Sequence, residues 1–222
     1  MDSSFFNEIY LDQIYSGQHP SKWNIIKCYF RRLSILLKAK NVQLIWIEKE
    51  IFPFLPSYAE WILNKLGIPY VVDYDDAVFH NYDQHGTWLV RTWMHNKIDW
   101  VMRHSALVTA GNSYLRQRAL EAGAPRVELL PTVVDIRRYA TKKEFKHQEL
   151  VIGWIGSPTT EKYVLDLAPI FRSLSTVPGI SLTLINAPGR ELPDLGIPVR
   201  RIDWVEEEET AQLLYVDVGI MP

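Results

Sequence analysis

The amino-acid sequence predicts an α/β protein whose parallel sheets lie in two successive domains. Three observations carry this. Short β-rich apolar runs alternate with helix-period stretches, the alternation occurs twice, and a basic, weakly apolar stretch separates the two series. Composition agrees. The chain has 222 residues, 47% hydrophobic and 23% charged, with a formal net charge of −2. That length supports a core without staples, and the apolar fraction excludes a disordered chain. The charge balance argues against a dedicated nucleic-acid binder. A single cysteine, Cys28, excludes a disulfide framework and a four-cysteine zinc site, and fits a reducing compartment.

In chain order, Met1 to Asp12 lacks the charged-then-apolar pattern of a signal peptide. No uncharged apolar run approaches the roughly 20 residues of a spanning helix, so the expected location is cytoplasmic. Ser21–Lys40 holds six cations and no acid, and Trp23, Ile26, Phe30, Leu33 and Leu37 form one helical stripe. Such a helix either covers a sheet or lies peripherally on an anionic membrane. Cys28 on it reads as a small apolar residue. Val42–Ile47 predicts a strand. Ser57 and Glu60 form a capping box for a helix that stops near Gly67. Pro69–Tyr74 is the next strand. Trp93, Met94, Ile98 and Val101 mark a helix, Ala106–Ala110 a strand, Asn112 or Ser113 a helix cap, and Val127–Leu130 the last strand of the series. This β-α-β-α-β-α-β alternation predicts a parallel sheet covered by helices on both faces.

The first domain is thus read as 1–136 and a linker as 137–149, where Arg137, Arg138, Lys142, Lys143 and Lys146 crowd together. The second domain, 150–222, has strand Val151–Ile155, a helix from about Thr160, strands Ile180–Ile185 and Val199–Ile202, helix Glu206–Leu214 and strand Val216–Met221. The run Glu206–Glu209 reads as a helix start favoured by the dipole. The first series opens on a helix and the second closes on an apolar strand at Pro222, so both domains are expected to be incomplete in this chain.

Ligands of open parallel sheets sit at the carboxyl ends of the strands. Two segments there stand out. Gly153–Thr160 joins a strand to a helix. Glycine lets a backbone approach a ligand, helix-start amides favour an anion, and Ser157, Thr159, Thr160 and Lys162 add donors. The same residues also read as an ordinary helix cap. Asp73, Asp75 and Asp76 crowd three carboxylates into four residues, which calls for a compensating metal, cation, helix start or hydroxyl-bearing substrate. His80, Asp83 and His85 lie close in sequence. Two motif readings compete at the acids: a metal-binding DxD, and the haloacid-dehalogenase-like phosphatase signature with Asp73 as nucleophile and Asp75 as general acid. Ala77 departs from the latter pattern.

These residues together resemble a known family. Ile45–Glu50, Pro69–Ala77, Ala110–Leu115, Leu130–Asp135, Ile152–Thr160 and Asp217–Pro222 look like the glycosyltransferases of group 1 (family 4). The resemblance implies a GT-B architecture of two Rossmann-like domains, the first for the acceptor and the second for a nucleotide-sugar. It implies sugar transfer with retention of configuration, no metal or other cofactor, a saccharide or lipid-linked acceptor, no nucleic-acid partner, and a place in cell-envelope polysaccharide biosynthesis. On that basis Gly156, Ser157, Thr159, Thr160 and Lys162 face the donor phosphates. Asp75 and Asp76 are the catalytic candidates, and Glu48, Asp73, His80 and Asn112 lie on the acceptor side. Ser157 stands where many members carry an arginine, and Asp75 where many carry a histidine. The family's E-x7-E donor motif is expected beyond Pro222, so this chain alone is expected to be inactive.

Overall fold

A computed structural model of the chain describes residues 21–38, 42–140, 149–157, 160–185 and 192–222. The expectations for Met1–Asp12, Lys40, Lys142, Lys143, Lys146 and Thr159 lie outside these residues. The chain divides into two compact units. One runs from Tyr29 to Val134. The other takes Asp135–Pro222 together with the chain up to Cys28.

The first unit holds a four-stranded parallel sheet, β1 (Ile45–Glu48), β2 (Tyr70–Tyr74), β3 (Leu107–Ala110) and β4 (Val127–Leu129), paired in simple sequential order. Helix α1 (Lys22–Leu36) precedes it. Between strands run α2 (Tyr58–Lys65), α3 (His80–Asp83), α4 (Trp88–Met94), α5 (Lys97–His104) and α6 (Ser113–Glu121). Alternate side chains of a strand face opposite sides. In β2 both sets are buried, Tyr70, Val72 and Tyr74 on one face and Val71 on the other. The core joins β2 and β3 to Leu63 of α2, Ile98 and Met102 of α5, and Leu115 of α6.

The second unit holds a four-stranded parallel sheet, β5 (Leu150–Ile155), β6 (Ile180–Ile185), β7 (Val199–Ile202) and β8 (Val218–Gly219), in the order β7-β6-β5-β8. The chain steps outward from β5 to β7, then returns so that β8 pairs with the free side of β5. The reversal lies between β5 and β8. Helices α7 (Glu161–Leu165), α8 (Ala168–Leu174) and α9 (Glu209–Leu214) connect the strands. Trp154, Leu182, Leu184, Val164 and Phe171 form its core. Among the described strands, the doubly wound order is a property of this second sheet.

Several local expectations are corrected. Ser57 is the N-cap of α2 without a side-chain bond, because the Glu60 carboxylate instead accepts the Ile51 amide at 3.1 Å and is buried. One helix through Trp93 and Val101 is in fact two, and Trp93 is exposed. Val216–Met221 shrinks to β8, with Asp217 and Ile220 amides still reaching Val151 and Gly153 carbonyls. The helix expected from Glu206 begins at Glu209, whose carboxylate accepts from Trp204 and Tyr139 at 2.8 Å each. Those two bonds hold the Glu209 carboxyl below its usual range.

The apolar stripe of α1 also departs from the sheet-covering expectation. Trp23, Ile26, Phe30, Leu33 and Leu37 are all exposed. Cys28 is buried, as its reading as a small apolar residue requires.

Two buried tyrosines of β2 differ in one respect. The Tyr70 hydroxyl donates to the Val101 carbonyl at 3.1 Å, whereas the Tyr74 hydroxyl has no partner among the described residues. Burial pushes both phenols up. Tyr70→Phe is expected to cost about 1 kcal/mol in urea unfolding. Tyr74→Phe is expected to leave stability unchanged or raise it by up to about 2 kcal/mol, since it removes an unsatisfied buried hydroxyl. Equal losses in both variants would contradict this account.

Candidate functional site

Parallel pairing places every strand's carboxyl end on one edge. In the first sheet Glu48 stands opposite Asp73 and Asp73 opposite Thr109. The Asp73 carboxylate accepts the Thr109 hydroxyl at 2.6 Å and is half-buried. It is thereby held within the sheet edge, which disfavours its role as a phosphatase nucleophile; nothing in the structure supports that alternative.

Asp75 and Asp76 lie in the turn after β2, and their compensating charge is Lys49. Its ammonium lies 3.1 Å from Asp75 Oδ1 and 2.8 Å from Asp76 Oδ2. Burial pulls the Lys49 pKa down, but hydrogen bonds and charges from the two aspartates outweigh it and the net shift is upward. Of the compensators considered from sequence, the structure supplies a basic partner. Lys49 reaches both acids from a left-handed backbone, φ 64°, unusual for a side chain of its size. Gly111 makes room on the other side: a Cβ there would stand 3.3 Å from the Asp75 Cα, while its amide donates to the Tyr74 carbonyl at 2.8 Å.

The Lys49 turn is braced from within. Glu50 is nearly buried and accepts from the Tyr82 hydroxyl at 2.6 Å and from the Lys97 ammonium. Lys97 also donates to the Phe52 carbonyl at 2.7 Å, and Phe54, again with positive φ, donates its amide to the Tyr82 oxygen. Glu60, behind this network, has its carboxyl pushed up by burial.

His80 opens α3 next to this edge. Its Nδ1 lies 2.8 Å from Asp83 Oδ1 and its Nε2 2.7 Å from the Tyr114 hydroxyl. Arg118 holds Asp99 through two bonds, stands 3.6 Å from Asp83 and covers the Phe79 ring. Asn112 caps α6, its side chain accepting the Leu115 amide at 2.9 Å. The edge therefore gathers Glu48, Lys49, Asp73, Asp75, Asp76 and the Asp83–His80–Tyr114 chain. Lys49 and Glu50 lie at a strand end where sequence places ligands, whereas nothing in the sequence marks Lys97, Thr109 and Tyr114 as site residues. For Lys49 a signal existed: a lone cation between two acids directly after a strand.

In the second unit the loop after β5 carries Gly156 and Ser157. It lies at the β5/β8 reversal, the place where doubly wound sheets open a crevice for ligands. Gly156 is required by its own strand: a Cβ would lie 2.4 Å from the Trp154 ring. Two of the amides at this helix start are engaged. Thr160 and Glu161 amides donate to the Ser157 carbonyl at 3.0 and 3.2 Å, and the Ser157 and Thr160 hydroxyls lie 3.1 Å apart. Thr160 is the N-cap of α7 but makes no side-chain cap bond. Lys162 is exposed beside the Tyr163 ring, and Glu161 is buried against Arg201 at 2.6 Å.

No family model and no curated protein matches the chain. Solved structures do. A trehalose 6-phosphate synthase from Burkholderia multivorans superposes with TM-score 0.53 at 14% identity, over 96% of this chain and 60% of its own. The fold is of the GT-B type. An (UDP-forming) trehalose-phosphate synthase from Burkholderia vietnamiensis gives 0.55 at 13% identity, over 94% and 58%. Anabaena HepE in complex with UDP and glucose gives 0.53 at 14%, over 85% and 54%. This chain spans somewhat over half the length of these neighbours.

Lys97→Met leaves the Glu50 carboxylate buried and unpaired, and is expected to cost about 3–5 kcal/mol in unfolding free energy, most of it recovered when Glu50→Gln is added. Glu60 has a folded pKa above its unfolded value of 4.5. Its contribution to stability is therefore fullest below pH 4.5 and is lost as pH rises through the folded value. Glu60→Gln, which keeps an acceptor for Ile51, is expected to raise Tm at pH 7 to 8, with the gain vanishing towards pH 4. A Tm gain that persists in acid would contradict the assignment.

Proposed function

We infer that this chain belongs to a glycosyltransferase moving a sugar from a nucleotide-sugar to an acceptor hydroxyl with retention of configuration. The observation that carries the reading is the reversal of strand order beneath the Gly156–Ser157 loop within a fold shared with UDP-using neighbours. In this reading the second unit takes the donor and the first the acceptor. Metal is not required.

The chemistry suits the groups present. Sugar transfer passes through an oxocarbenium-like state while negative charge grows on the departing diphosphate. A fixed cation and polar groups at that diphosphate lower the barrier, and Lys162, Ser157 and Thr160 are the candidates. On the acceptor side Asp75 and Asp76, exposed yet tethered by Lys49, offer carboxylate oxygens to acceptor hydroxyls. Glu48, Asp73, His80 and Asn112 frame that edge. His80 links Asp83, at its Nδ1, to the Tyr114 hydroxyl, at its Nε2. A saccharide acceptor satisfies this arrangement, and a lipid-linked one would be met at a cytoplasmic membrane face.

The test is calorimetric titration of UDP into the full chain. Binding is expected, and Lys162→Ala is expected to weaken it roughly 5–30-fold, the equivalent of about 1–2 kcal/mol, without changing Tm. Asp75→Asn is expected to leave UDP binding unaltered. Absence of UDP binding, or binding indifferent to Lys162, would refute the donor assignment.

A further inference from the structure

Helix α1 carries a face that the glycosyl-transfer reading does not use. At 100° per residue, Ile25, Cys28, Tyr29, Arg32, Ile35 and Leu36 fall on one side. These are the residues turned inward: Cys28 is buried and the others half-buried. Tyr29 stacks on Phe52 with centroids 5.6 Å apart and donates its hydroxyl to the Pro53 carbonyl, and Leu36 packs on the first core. The helix is therefore fixed in rotation by its inner side.

The apolar stripe points elsewhere. Trp23, Ile26, Phe30, Leu33 and Leu37 centre about 140° away from the inward direction by the same helical period. Their exposures are 74%, 43%, 68%, 46% and 71%. Exposed Lys27, Arg31 and Lys38 border the stripe on one flank, and Lys22 lies on the other. No acid occurs between 21 and 38. A soluble helix ordinarily turns its apolar stripe to the core. Here the core contact is made by a different set of residues, and the large apolar side chains stand outside among cations.

We propose that this face of α1 docks on an anionic lipid surface. The occupant follows from charge. A second copy meeting through the same face would bring its own Lys22, Lys27 and Lys38 up against these cations. Anionic headgroups complement the cations, and the stripe, led by Trp23 and Phe30, enters the headgroup–acyl boundary. The helix lies in the interface plane and does not span; among the described residues no helix is long and apolar enough to cross a membrane. The inference stands independently of the glycosyl-transfer reading.

The test is co-sedimentation of the full chain with vesicles of phosphatidylcholine alone or with about 30% phosphatidylglycerol, alongside light scattering of the free protein. Binding to the anionic vesicles is expected, with little to the neutral ones and a marked loss in 0.5 M salt. Trp23→Ser with Phe30→Ser is expected to weaken binding at least tenfold. So is Lys27→Gln with Lys38→Gln. Every position changed is exposed, so Tm and UDP binding are expected to hold, which separates this failure from failure of the donor site. No binding to anionic vesicles, or binding unaltered in both pairs, overturns the proposal. So does a dimer that Phe30→Ser dissociates, which would assign the face to a second copy.

Discussion

The constraint on which the rest depends is parallel pairing. When every neighbour runs the same way, every strand delivers its next turn to the same edge, and residues far apart in sequence become adjacent. Glu48, Asp73 and Thr109 are brought side by side in this manner. So are the loop after β5 and the residues after β8. Neither sheet needs a designed pocket to assemble polar groups. The strand ends do so, and the loops decide what chemistry the groups present.

At the first edge the second requirement is electrostatic. Three aspartates in four residues repel one another unless answered, and the answer comes from two directions. Thr109 satisfies Asp73 from the neighbouring strand, and Lys49 satisfies Asp75 and Asp76 from the turn after β1. The Lys49 turn carries positive φ at Lys49 and at Phe54, conformations that persist when surrounding structure enforces them. The Glu50–Lys97–Tyr82 network beneath provides that enforcement. Buried structure and exposed site are thus one construction: the interior ion pair holds the turn that holds the surface cation.

The second edge is built differently. There the helix start is closed on itself through the Ser157 carbonyl, and the glycine that follows β5 accommodates the Trp154 ring. What marks the place is topology: β8 returns to the free side of β5 after the chain has moved outward to β7. Exposed Lys162 adds a cation nearby in sequence.

Much of the fold was legible without coordinates because the signals were local. Ile180–Ile185 and Val199–Ile202 are continuous β-rich runs and form those strands, and Asn112 caps α6 as its residue type suggests. Where local signals failed, a distant partner had intervened. Glu60 left the capping box for the Ile51 amide, and Glu209 turned to Trp204 and Tyr139. The stripe on α1 shows the limit most plainly. Its period of three to four residues established a helix with two chemically distinct sides, but period carries no information about which side meets the core. Tyr29 and Leu36 settled that through contacts with residues elsewhere in the chain. Sequence by itself determined the succession of strands and helices and the gathering of acids after β2, since both follow from side-chain type and spacing. Tertiary structure alone decided the strand order, the neutralising role of Lys49 and the outward turn of Trp23 and Phe30, because each depends on what lies across space rather than along the chain.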